Sequence, residues 1–108
     1  MKMLSAKDQV CFEVFSDSVK SLYPDARTWA FGSRVRGEIG EDSDLDVCVV
    51  LDELDWEKRR RISDIAWEIG FERDRLISTV VFSKEQFEQG PSSASPLVKS
   101  IQDEGVTV

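Results

Sequence analysis

Two aspartates, Asp44 and Asp46, stand one residue apart at the head of an apolar run, with Asp44-Leu45-Asp46-Val47 leading into Cys48-Val49-Val50-Leu51. β-Branched residues dominate this stretch and no helical stripe runs through it, so it reads as a strand. Side chains alternate across a strand, which sends both aspartates to one face. Leu45, Val47, Val49 and Leu51 then point to the other face, as a core requires. Two carboxylates that close resist ionising together unless a cation sits between them. Their all-oxygen donor set suits a hard cation such as Mg²⁺. An isolated Asp-x-Asp is more often a solvated strand end, so the pair needs a second feature before it reads as a site.

Phe31-Gly32-Ser33, separated from Asp44 by ten residues, supplies that feature. Glycine lets the backbone turn closely around a bulky group, and the free N–H groups at the start of a following helix attract phosphate oxygens. Ser33 suits either the N-cap of that helix or a hydroxyl donor to phosphate. Arg34 and Arg36 flank the turn. They are candidates for triphosphate contacts, or equally for pairing with Glu38, Glu41 or Asp42. A phosphate cradle and a cation site on one short unit together describe a nucleoside triphosphate site. Other phosphate motifs fail: Gly32 to Gly37 has P-loop glycine spacing but lacks the following Lys-Ser/Thr, and no G-x-G-x-x-G occurs.

Phe31-Gly32-Ser33, ten residues and Asp44-Leu45-Asp46-Val47 resemble the signature of the DNA polymerase beta-type nucleotidyltransferase superfamily. The short chain resembles its minimal prokaryotic branch, often paired with HEPN-domain toxins, and residues 95–106 resemble the usual tail of such proteins. The resemblance implies a palm-like α/β (α+β) fold: a small mixed sheet with helices packed on one face. It implies that Asp44 and Asp46 ligate one or two Mg²⁺ ions and serve as catalytic residues, while Gly32, Ser33, Arg34 and Ser43 hold the nucleotide. The reaction implied moves a nucleoside monophosphate, AMP from ATP, to a hydroxyl acceptor such as a tyrosine of a HEPN toxin. The alternative is a weak or inactive antitoxin-like binding module that keeps the fold. Active relatives usually carry a third acid on a later strand. Here that segment, Leu76-Ile77-Ser78-Thr79-Val80-Val81, has no carboxylate, and Ser78 or Thr79 stands in its place.

Composition sets the remaining bounds. A chain of 108 residues with 41% hydrophobic content fits one domain, residues 1–108, with one core. A net charge of −7 argues against a general nucleic-acid binder and leaves room for a basic protein partner. The chain has no histidine, which removes Ser-His-Asp and Cys-His catalysis and histidine-based zinc sites. Cys11 and Cys48 make no disulfide framework and read as small core residues. No signal segment or membrane-length apolar span is evident, so the cytoplasm is the expected compartment.

The positioning elements follow in order. Ser5 to about Tyr23 reads as a capped helix with a stripe of Val10, Val14, Phe15, Val19 and Leu22, broken by Pro24. A strand over Ala26–Phe31 follows, with Trp29 and Phe31 sharing a core face, then a short helix from Ser33 to about Glu38 and a loop at 40–43. Trp56 to about Glu72 is the longest helix, burying Ile62, Ile65, Ala66 and Ile69. Its Arg59-Arg60-Arg61 run reads as a solvated face, spaced for pairing with Glu57 and Asp64. The third strand spans Leu76–Phe82. Ser83 caps a short helix to about Gln89, and Pro96 opens a last one to about Glu104. Val106 to Val108 either adds to a sheet edge or frays.

Overall fold

Helical and extended segments give the order α1 (Ala6–Leu22), β1 (Arg27–Phe31), α2 (Ser33–Arg36), β2 (Leu45–Leu51), α3 (Trp56–Glu72), β3 (Ile77–Ser83), α4 (Lys84–Glu88) and α5 (Pro96–Glu104). They belong to a computed structural model, which describes residues 4–36, 44–89 and 95–107. Polar side chains fix the helix starts, where backbone N–H groups lack helical partners. Ser5 accepts from the Asp8 N–H at 3.2 Å, and Asp55 accepts from the Lys58 N–H at 2.8 Å. Ser83 and Gln86 form a reciprocal capping box, and Ser95 caps α5 ahead of Pro96.

The strands form a mixed sheet in the order β1-β2-β3, with β1 antiparallel and β3 parallel to the central β2. Val106 bridges Ala30, so the tail adds to the outer edge of β1. Every residue of β2 except Asp46 is buried, as expected of a strand covered on both sides. Its alternation feeds two apolar layers. Leu45, Val47, Val49 and Leu51 pack with α1 and α3 through Phe12, Phe15, Val19, Ile62, Ile65 and Ile69. Cys48 and Val50 face the other way and pack with Phe31, Phe87, Val98 and Ile101 under the short helices α4 and α5. The two long helices share one face, but α4 and α5 cover one end of the other, so helices pack on both faces rather than on one as the resemblance implies. Trp29 stacks on Phe87 with ring centroids 5.1 Å apart and Phe31 is buried in the same layer, so both aromatic residues of β1 pack rather than stand free.

The buried stripe of α1 differs from the one read in the sequence. Cys11, Phe12, Phe15 and Val19 point inward, whereas Val10 and Leu22 are exposed. The arginine run of α3 is exposed, as predicted, but its partners differ. Arg59 donates to the Val81 carbonyl at 3.2 Å and Arg60 lies over the Trp56 ring. Among the described residues, no helix is long and apolar enough to cross a membrane.

Both cysteines are free and buried. Burial pushes the Cys48 thiol up to about 12 against the opposing charge of Arg27, and burial also raises Cys11. A raised value keeps each thiol protonated at pH 8, where only a thiolate would react. We expect no labelling of the native protein by a thiol reagent at pH 8 and labelling of both cysteines after denaturation. Phe12, fully buried between α1 and the sheet, sets the scale of core stability. Phe12→Ala should lower the unfolding free energy by about 3–5 kcal/mol in urea titration, whereas Arg61→Ala should stay within about 0.5 kcal/mol.

Candidate functional site

The antiparallel pairing of β1 and β2 sets Phe31 opposite Asp46, so the end of β1 and the start of β2 meet. The next residue, Gly32, has φ +84°, a backbone conformation that favours glycine. A Cβ at Gly32 would fall on Asp46 Oδ2 and lie 3.3 Å from its Cγ. The Asp46 carboxylate therefore rests against the bare α-carbon of the glycine turn. Beyond it the Val35 N–H donates to the Gly32 carbonyl at 3.1 Å, which folds the chain into α2. Asp44 is half-buried immediately before β2, and the Leu45 N–H holds the strand start to the Leu76 carbonyl at 2.8 Å. The alternation that sends Leu45 into the core sends Asp46 to the opposite face, with Asp44 one repeat before it.

The parallel pairing with β3 resolves the alternative between Ser78 and Thr79. Ser78 pairs with Asp46 and Thr79 with Val47. Paired residues of neighbouring strands share a face, so exposed Ser78 stands beside Asp46 and Thr79 is turned toward the Val47 side. No carboxylate occupies that position on β3. Among the described residues, no group of three or more His, Cys, Asp or Glu side chains is placed to hold a metal ion. Two carboxylates such as Asp44 and Asp46 would suit a hard cation, which would need further oxygen donors from outside the protein.

Arg34 has a partner the sequence did not disclose. Its Nη1 donates to Asp8 Oδ2 at 3.3 Å, and Arg75 Nε lies 3.2 Å from Asp8 Oδ1, near enough for charge pairing but not aligned as a hydrogen bond. Asp8 is 2% exposed. One signal was available: Asp8, Phe12, Phe15 and Val19 follow helical spacing on the buried face, so the acid lies on the core stripe. The side chains of Ser33 and Arg36, and Ser43 altogether, lie outside the described residues. A separate groove of about 460 Å³, lined by Trp67, Phe71, Leu76 and Thr79, runs between α3 and β3.

The result is an α+β domain whose mixed three-stranded sheet sets an Asp-x-Asp strand against a glycine turn. Residues 13–108 match the model of the nucleotidyltransferase domain, and the chain belongs to that family. It is 40% identical over 58 residues to the probable protein adenylyltransferase MntA of Haemophilus influenzae, a match covering 47% of this chain and 51% of that protein. The chain thus spans about half the length of the curated relative it matches. A chain of a toxin-antitoxin crystal structure with AMP-PNP superposes with TM-score 0.61 at 18% identity, covering 88% of this chain and 70% of that one. A chain of the complex between tri-AMPylated Shewanella oneidensis HEPN toxin and MNT antitoxin superposes with TM-score 0.57, also at 18% identity, covering 93% and 70%. At such identity the likeness concerns the fold.

The glycine turn yields a direct test. Gly32→Ala places a methyl group on the Asp46 carboxylate and costs about 1–2 kcal/mol for the backbone conformation alone. The expected outcome is a lowered urea midpoint, read by circular dichroism, together with weakened binding of a Mg²⁺–nucleotide complex, read by calorimetry.

Proposed function

We propose that the protein is a Mg²⁺-dependent nucleotidyltransferase that moves AMP from ATP to a hydroxyl of another molecule. The observation that supports this reading is the contact of the Asp46 carboxylate with the α-carbon of Gly32, which brings that acid and the glycine turn together. Asp44 and Asp46 would hold Mg²⁺, and the Gly32-Ser33 backbone would receive the outer phosphates, with Ser33 and Ser43 as further nucleotide contacts. When bound there, Mg²⁺ would neutralise phosphate charge and hold the reacting oxygens in line. The acceptor oxygen forms a bond to the α-phosphorus, the bond to the bridging oxygen breaks, pyrophosphate leaves and the acceptor proton passes to solvent. The acceptor class we favour is a tyrosine hydroxyl on a HEPN-type toxin partner. The name of the Haemophilus relative and the AMPylated toxin in the Shewanella complex support it. The net charge of −7 suits a basic partner surface.

A second reading has its own observation. Ser78, rather than a carboxylate, stands beside Asp46, and a hydroxyl ligates metal weakly and makes a poor general base. A site of this composition fits an antitoxin-like protein that binds nucleotide and partner with slow transfer or none.

Incubation with Mg²⁺, labelled ATP and a HEPN-domain toxin protein separates the two. Label on the partner, reduced at least about 100-fold by Asp44→Asn or Asp46→Asn, supports the enzyme. A tight complex without label supports the binding module. Ser78→Asp should raise the transfer rate by up to about 100-fold, the low end of what a positioned general base contributes.

A further inference from the structure

Asp8 is the one charged side chain in the buried set among the described residues, and its carboxylate faces two guanidinium groups. A carboxylate removed from water is stable only when such partners are present. The two arginines come from either side of the candidate site. Arg34 is the second residue of α2, directly after the Gly32-Ser33 turn. Arg75 precedes β3, the strand that carries Ser78. Its own place is fixed by the Arg75 N–H donating to the Gly70 carbonyl at 2.9 Å, an approach so close that a Cβ at Gly70 would strike the Arg75 carbonyl. β1 and β3 are the two strands that flank Asp46. One buried carboxylate on α1 therefore ties together the two chain segments that set the walls of the site.

We propose that Asp8 is a positioning residue for nucleotide binding, acting through Arg34 to hold the Gly32-Ser33 turn against Asp46. Arg34 is then a structural tie of the phosphate turn, its guanidinium oriented by Asp8. Neither the acid pair nor the backbone turn needs Asp8 to exist, but their separation depends on it. The proposal rests on the nucleotide-binding reading above.

The test uses the full chain and Mg²⁺ with AMP-PNP, with affinity measured by calorimetry and fold by circular dichroism at the same temperature. Asp8→Asn keeps the shape and removes the charge; Arg34→Lys keeps the charge and removes the planar fork, and the spectrum reports the folded state of each before its affinity is compared. Each should weaken nucleotide binding between about 10- and 100-fold with an unchanged spectrum. The double variant should bind no more weakly than the worse single one, because both act through one contact. Wild-type affinity in Asp8→Asn, even with a lowered unfolding midpoint, overturns the proposal and leaves Asp8 a purely structural residue. Loss confined to Arg34→Lys also overturns it, and makes Arg34 a direct phosphate ligand. A wild-type protein that binds no nucleotide overturns the functional reading instead, an outcome distinct from both.

Discussion

The register that sets Phe31 opposite Asp46 is the constraint on which the rest of the molecule depends. A slip of one residue would turn Asp46 into the α1–α3 core and send Leu45 or Val47 to the face it now occupies. Burial on both sides of β2 prevents that slip. Val47, Val49 and Leu51 are locked under the long helices, and Cys48 and Val50 under the short ones. The apolar layers thus hold the acid at a fixed height along the strand. Glycine at position 32 then lets the chain close over it with no side chain between.

The same layers explain why the acids lie where they do. On the face shared by Asp46, Cys48 and Val50, α4 and α5 cover the end that carries Phe87, Val98 and Ile101. Asp46 stands at the beginning of the strand, beyond that cover, half-buried rather than enclosed. A carboxylate in this position keeps contact with water, yet has one side closed by the Gly32 backbone. Asp8 is the contrasting case, an acid taken fully into the core and compensated by two arginines.

Much of this was legible in the sequence because it rests on local periodicity. Period-two alternation located β2 and set Asp46 on the face opposite Leu45 and Val47, and the caps Ser5 and Ser83 and the helix-opening Pro96 marked helix starts that the structure bears out. The α3 stripe of Ile62, Ile65, Ala66 and Ile69 is buried as its spacing required. What escaped depended on contacts between distant segments. The place of Asp8 requires Arg34 and Arg75 to arrive from other elements, and a first-turn acid looks the same in sequence whether it is solvated or buried. The offset of the α1 stripe has a related cause, since Val10 and Phe12 are equally apolar and only packing against the sheet selects between them. The choice between Ser78 and Thr79 needed the pairing of β3 with β2.

The central claim is that one place, bounded by Gly32 and the acid pair, receives a metal-bound triphosphate. Titration of the ¹⁵N-labelled protein with Mg²⁺ and AMP-PNP, followed by amide chemical shifts, tests it most directly. The expected result is a set of shifts concentrated at Gly32, Leu45, Asp46 and Ser78, and absent when EDTA removes the Mg²⁺. Shifts confined to the groove at Trp67, Phe71 and Leu76, or no shifts at all, would contradict it.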